Sequence, residues 1–306
     1  MRKINLGQTG FHVPVIAVGF WRLDKVNKTE AETFIKSAMD MEANFFDHAD
    51  VYGRGLAEEM FAEAIGMCPA VREKIFIQTK CGIRPGEAFD FSRDHILHAV
   101  DLSLKRLKTD YIDVLLLHRP DALMEPEEVA EAFGILQGKG KVRYFGVSNQ
   151  KPMQIELLRK YVKQPIVANQ LQLGIAYSGM ISHGIHVNTM DDAGVDRDGS
   201  VLDYCRLNDI TIQTWSPLQY GFNQGVFLGN AKFPGLNTKI DEIAKKYSVS
   251  NTTIAIAWLL RHPARFQPIT GTMKTERLRD CIKATEISLT RDEWYAIYLA
   301  AGNVLP

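Results

Sequence analysis

Tyr111-Ile112-Asp113-Val114-Leu115-Leu116-Leu117-His118 is a strand-length, mostly apolar run that closes on an imidazole. Two earlier runs end in a similar way. Lys74-Ile75-Phe76-Ile77-Gln78-Thr79-Lys80 closes on a lysine, and Asn44-Phe45-Phe46-Asp47 closes on an acid, with Tyr52 five positions further on. Continuous apolar character suits strands covered on both faces, as in a parallel sheet wrapped by helices. In a barrel of parallel strands the C-terminal ends share one mouth, where the chemistry is done. Asp47, Tyr52, Lys80 and His118 are therefore expected to meet.

Outward from these runs, strand-like and helix-like segments alternate. The other expected strands are Val13–Phe20, Val142–Val147, Ile166–Leu171, Thr211–Trp215 and Gln267–Thr270. Helical periodicity marks Lys28–Met41, Ser92–Leu107, Glu127–Gln137 and Lys151–Tyr161. Thr29 to Glu32 reads as a capping box, and Glu125-Pro126-Glu127-Glu128 as a second helix start. Eight strands, each followed by a helical stretch, predict a (β/α)8 TIM barrel. A doubly wound sheet competes less well, because no Gly-x-Gly-x-x-Gly follows the first strand. Met1–Gly10 reads as a hairpin closing the bottom of the barrel. Ser178–Gly199 and Ser216–Gly235 read as long loops at the C-terminal face, where long loops usually carry function. No linker or repeat interrupts the 306 residues, which predicts one domain, 1–306.

Hydrophobic residues make up 46% and charged residues 24%, an ordinary globular balance. Lys+Arg and Asp+Glu both number 36, which argues against nucleic acid or an anionic membrane as the main partner. The first residues lack the apolar core of a signal peptide, and no apolar stretch is long enough to span a bilayer. Cys68, Cys81, Cys205 and Cys281 are scattered without a Cys-x-x-Cys pair. That pattern disfavours zinc and fits reduced thiols in the cytoplasm. His183, His186, Asp191, Asp192, Asp196 and Asp198 suggest a metal, but the glycines among them oppose a helix and the spacing is not that of a calcium loop. Asp198 or Ser200 is expected instead to cap the following helix.

Taken singly, Asp47 reads as a helix cap, Lys80 as a surface cation, His118 as a core histidine and Tyr52 as packing. Together they suit proton donation to a carbonyl that accepts hydride. A phenol is a weak acid near pH 7, with an ordinary pKa of about 10. A neighbouring ammonium is expected to lower it, and a carboxylate to keep that ammonium charged. An imidazole N–H can donate to the carbonyl oxygen as negative charge develops.

Three separated motifs carry a family resemblance. They are Phe46-Asp47-His48-Ala49-Asp50-Val51-Tyr52-Gly53, Leu115-Leu116-Leu117-His118-Arg119-Pro120, and Gly138 to Asn149 with its Lys139, Lys141, Arg143 and Ser148. In this order they resemble the aldo-keto reductases over nearly the whole chain. The resemblance implies a TIM barrel and a nicotinamide cofactor held without a Rossmann domain. It implies Tyr52 as general acid, Lys80 and Asp47 as its tuners, and His118 as the residue that orients the carbonyl.

The later strand ends are the expected cofactor contacts. Ser148, Asn149 and Gln170 offer amide and hydroxyl partners for a carboxamide. By resemblance Trp215 stacks on the nicotinamide, and Ser216, Pro217, Leu218 and Gly221 lie over the pyrophosphate. Gly271, Thr272, Lys274 and Arg277 open a helix after the last strand, where phosphate binds readily, and Lys274 and Arg277 favour NADPH over NADH. The family often carries a basic residue at Gly271 and Glu or Asn near Asp280 and Cys281, and this chain departs there. Trp21 either walls the substrate pocket, lies under the cofactor ribose or simply packs. The implied activity is NAD(P)H-dependent reduction of an aldehyde or ketone, a small-molecule carbonyl substrate, with no obligatory protein partner evident. The alternative is a cofactor-sensing regulatory subunit with weak turnover. Specificity is expected in the loops after strands four and seven, in Ser178–Gly199 and in the tail Tyr298–Pro306.

Overall fold

The N-terminal hairpin is longer than expected and takes part of the first predicted strand. In the computed structural model, which describes residues 1–306, β1 (Lys3–Asn5) pairs antiparallel with β2 (His12–Pro14). The barrel begins only at β3 (Ala17–Gly19). Pro14 explains the break. It has no N–H for a ladder, and its carbonyl accepts a 2.7 Å bond from Gln267 Nε2 inside the barrel. Leu6 and Val13 are fully buried with Phe45, Val114 and Val167, so the hairpin plugs the N-terminal end.

The remaining barrel strands are β4 (Phe45–Asp47), β5 (Phe76–Cys81), β8 (Ile112–Leu117), β9 (Val142–Ser148), β10 (Ile166–Gln172), β11 (Thr211–Trp215) and β12 (Gln267–Thr270). Between β5 and β8 lies a small antiparallel pair, β6 (Ile83–Arg84) and β7 (Ala88–Phe89). The order β3-β4-β5-β8-β9-β10-β11-β12 closes back on β3, with every barrel pairing parallel. This is the expected closed (β/α)8 barrel.

The helices follow the periodic segments with small shifts. The first runs Lys28–Asp40, and its capping box is Asn27 with Glu30. Asn27 Oδ1 accepts from Glu30 N at 2.9 Å, so the box lies two residues before the expected one. Asparagine caps as well as threonine or better, and it stands earlier in the chain. Gly179–Ile185 forms a short helix where a loop was expected, because Ser178 O accepts from both Ile181 N and Ser182 N. The helix Val201–Leu207 has Ser200 at its N-cap with φ +58° and no side-chain cap bond there, while Asp198 Oδ1 accepts from Val201 N at 3.2 Å. No helix is long and apolar enough to cross a membrane.

Strand register builds an inner polar ladder. Gln170 stands level with Gln213, Gln213 with Gln267, and Asp47 with Gln78. All five are buried, and their amides bond in series. Gln213 Nε2 donates to Gln78 Oε1 and Gln267 Oε1, both at 2.9 Å, and Gln78 Nε2 donates to Asp47 Oδ1 at 2.6 Å. Buried amides without partners would oppose folding; paired, they fix the barrel interior and hold the acid at the mouth.

Candidate active site

Parallel β4, β5 and β8 bring Asp47, Lys80 and His118 to one rim. Lys80, fully buried, donates to Asp47 Oδ1 at 2.9 Å, Asp47 Oδ2 at 2.8 Å and His48 O at 2.7 Å. Its distance to Tyr52 Oη is 3.2 Å. Gln78 and Gln170 also donate to Asp47 Oδ1, at 2.6 and 3.0 Å. Tyr52 starts a short 3-10 turn after β4, and its ring meets the His118 ring edge-on with centroids 6.0 Å apart. All four sequence-selected residues therefore converge.

The electrostatics depart from expectation at Tyr52. Burial is the dominant effect and raises the phenol pKa above its ordinary 10.0; Lys80 pulls it down, but Asp47 pushes it up again. The expected acidic phenol is thus corrected to one that stays protonated in the free protein. The lysine acts through an ion pair whose acid offsets part of its field. Burial works to lower Lys80, yet Asp47 and Tyr52 raise it overall. His118 is driven well below 6.5 by burial, with Lys80 and Arg119 adding to the effect, so it is neutral at pH 7. Its Nδ1 is buried without a partner.

From this rim a cleft of about 820 Å³ runs along the strand ends. It is lined by Trp21, Ser148, Asn149, Gln170, Trp215, Ser216, Pro217, Leu218, Gly271, Thr272 and Arg277, which the sequence had indicated. Gly221 and Lys274 are not part of its wall. Ser148, Asn149 and Trp215 brace one another: Asn149 Nδ2 donates to Ser148 Oγ at 2.7 Å, and Trp215 Nε1 donates to Asn149 Oδ1 at 3.3 Å. Gln170 spends its amide N–H groups on Asp47 and Gln213, which leaves its oxygen free of protein donors.

Two cations of the cleft were passed over as site residues in the sequence, although each adjoins a residue already singled out. Arg22 follows Trp21 and Arg119 follows His118, and both line the cleft. Arg22 stacks 4.2 Å from the Trp21 ring centroid and donates to Gly271 O at 3.3 Å. Gly271 accounts for the departure at that position. A Cβ there would lie 2.5 Å from Trp21 Nε1, so the indole excludes a larger side chain. Arg22 supplies the cation from the end of β3, the strand paired with β12. Burial lowers the Arg22 pKa and the charge of Arg277, which lines the same cleft, adds to the fall.

The His183 group also assembles in part. His183 Nδ1 lies 3.9 Å from Asp196 Oδ1 and 3.8 Å from Asp198 Oδ2. Burial works to raise the Asp196 pKa, but the Ser200 hydroxyl and the backbone N–H groups of Ser200, Asp198 and Gly199, all donating to its carboxylate, bring it down to about 2. His186 instead bridges Asp191 and Val304 O, at 2.9 and 2.8 Å.

Residues 15–299 match the family model described as the aldo/keto reductase family. The chain belongs to the aldo/keto reductase family. It is 38% identical to the uncharacterized oxidoreductase YcsN of Bacillus subtilis strain 168, covering 98% of each chain. It is 33% identical to a 6-dehydroglucose reductase of Novosphingobium aromaticivorans, covering 99% of this chain and 96% of that one. The solved structure of the thermostable aldo-keto reductase Tm1743, in complex with the inhibitor epalrestat, superposes with a TM-score of 0.79 at 30% identity. It covers 98% of this chain and 100% of that one. As an aldo-keto reductase the protein is an oxidoreductase dependent on a nicotinamide cofactor.

Proposed function

We propose that this aldo-keto reductase reduces aldehydes or ketones to alcohols with NADPH, and that Tyr52 gives the proton. The observation that carries the reading is Lys80 Nζ, 3.2 Å from Tyr52 Oη while it bridges both oxygens of Asp47. When bound, the nicotinamide supplies a hydride to the carbonyl carbon. Tyr52 Oη releases its proton to the carbonyl oxygen, and Lys80 offsets the phenolate charge that remains. Asp47 keeps Lys80 charged and aimed. Neutral His118 offers an N–H to the carbonyl oxygen, where negative charge collects. Donation of this kind contributes about 10²–10⁴-fold.

The cleft offers the room and the donor set for a dinucleotide. Ser148, Asn149 and Gln170 suit the carboxamide, with Trp215 beneath the ring. Ser216, Pro217 and Leu218 flank the middle of the cleft. Gly271, Thr272, Arg22 and Arg277 stand at the far end, where two guanidiniums suit a 2′-phosphate and favour NADPH over NADH.

Tyr52→Phe tests the assignment. Its kcat for aldehyde reduction should fall by about 10²–10⁴-fold, while quenching of tryptophan fluorescence on NADPH addition stays at the wild-type midpoint. A variant that keeps its kcat removes Tyr52 from the reaction.

A further inference from the structure

Arg119 is a cation at the catalytic end of the cleft that the steps above leave idle. It follows His118 directly, is half-buried, and lines the same wall as Tyr52 and His118. No carboxylate answers it. The titratable groups that act on it are the phenols of Tyr52 and Tyr177, and burial pulls its pKa below the usual guanidinium value. Two guanidiniums buried away from the cleft are matched, Arg72 by Asp113 at 2.6 Å and Arg106 by Glu58 at 2.7 Å. The acids of the cleft are Asp47, committed to Lys80, and Asp280, beside Cys281 and Arg277 in the lining.

The Arg119 side chain is held by faces rather than by charge. Its guanidinium carbon lies 5.6 Å from the Trp215 centroid and 5.9 Å from that of Phe222. Two aromatic rings can orient a guanidinium but leave its N–H fork unfilled. A planar fork of donors, partly desolvated and open to a cleft, suits a carboxylate or phosphate oxygen pair.

We propose that Arg119 receives an anionic oxygen group, a carboxylate or a phosphate ester, carried by the carbonyl substrate. This rests on the reductase reading and narrows it to acidic aldehydes and ketones. Since Arg119 neighbours His118 in sequence and its charge reaches Tyr52, the anionic group would sit a short spacer from the reacting carbon.

The test compares matched substrates with the full-length protein and saturating NADPH. The pairs are 4-carboxybenzaldehyde against methyl 4-formylbenzoate, succinic semialdehyde against butanal, and glyceraldehyde 3-phosphate against glyceraldehyde. Wild-type kcat/KM should favour the anionic member of at least one pair by about 10- to 100-fold, the size of one charge-assisted contact. The first two pairs report a carboxylate and the third a phosphate. Arg119→Gln should erase the preference through KM with kcat nearly unchanged, and Arg119→Lys should restore part of it. Added salt should shrink the wild-type preference.

Equal loss on charged and neutral substrates in Arg119→Gln would make the residue a support for Trp215 and Phe222, and overturn the proposal. A weakened NADPH Kd with unchanged substrate preference would place the guanidinium on the dinucleotide and overturn it too. Turnover without any charge preference in the wild type removes this inference alone. No turnover of any carbonyl removes the reductase reading with it.

Discussion

Two buried ion pairs sit at opposite ends of the barrel. At the N-terminal end Arg72 donates to Asp113 Oδ2 at 2.6 Å, and to the carbonyls of Ile75 and Tyr111 at 3.0 and 3.1 Å. Asp113 also accepts from Ile77 N at 2.8 Å and from Arg143 at 2.8 Å. At the C-terminal end Lys80 meets Asp47 and His48 O, and its remaining contact is the Tyr52 hydroxyl. Both pairs carry the desolvation penalty of buried charge. The first closes on the scaffold, and its planar fork fits fixed acceptors around β5 and β8. The second is open on one side and delivers its point charge to a group that faces the cleft. A buried pair that leaves a donor to a titratable cleft residue is built for chemistry; one that leaves none is built for register.

Exchanging the cations for Met should separate the two roles. Lys80→Met should lower kcat by about 10²–10⁴-fold and cost about 3–5 kcal/mol of stability, because it takes the only cation from buried Asp47 and leaves it the amides of Gln78 and Gln170. Arg72→Met should cost less, about 1–3 kcal/mol, because Asp113 keeps Arg143 and Ile77 N while the carbonyls of Ile75 and Tyr111 lose a donor, and molecules that remain folded should turn over at nearly the wild-type rate. Urea midpoints and kcat, measured on both variants, check this. A kcat in Arg72→Met as low as in Lys80→Met would end the distinction.

The open pair was legible in the sequence and the closed one was not. Asp47, Lys80 and His118 end their strands, so the strand pattern alone carries them to one rim. Asp113 lies inside the very run that decides the fold, and Arg72 lies in a short turn of helix before β5. Only the register of neighbouring strands shows that they meet. The same holds for Gln78, Gln170, Gln213 and Gln267, each an isolated amide in its strand whose partners come from other strands. The helix Gly179–Ile185 was hidden because its two glycines outweigh its periodicity over only two turns. Net direction at Tyr52 depends on how deeply the phenol is buried, a property of packing. Arg22 and Arg119 were visible as residues but had no reason to be chosen until the cleft was outlined.

The open pair also sets a pH dependence. Tyr52 must be protonated to act as the acid, and its pKa in the free protein lies above 10.0. Activity in the reducing direction is therefore present below that value and lost as pH rises through it. The kcat/KM profile, which reports the free enzyme, should show no alkaline decline from Tyr52 until pH exceeds 10. The reverse reaction, which needs the phenolate, should gain over the same range. A reducing limb centred near neutral pH would mean that Lys80 outweighs burial, and the site pair would be stronger than its geometry implies.

A smaller effect distinguishes the two ends by their response to acid. Burial, with a contribution from Lys80, holds His48 at about 3, and burial with Lys80 and Arg119 holds His118 well below 6.5. Away from the site, burial with neighbouring charges lowers His262 to about 4. In the unfolded chain each recovers an ordinary value of about 6.5. As pH falls below that, the unfolded state takes up protons that the native state refuses. The stability from these neutral imidazoles is complete above about pH 6.5 and drains away toward the native values, by about 1.4 kcal/mol per pH unit for each group. His118→Gln should remove about one part in three of that slope between pH 6 and 5. Arg72→Met should lower the whole stability curve but leave the slope intact, since a guanidinium stays charged throughout the range. Urea midpoints at several pH values resolve the two patterns. An unchanged slope in His118→Gln would mean that His118 accepts a proton in the folded protein, which would put an unrecognised anion beside it and weaken its assignment as a neutral donor.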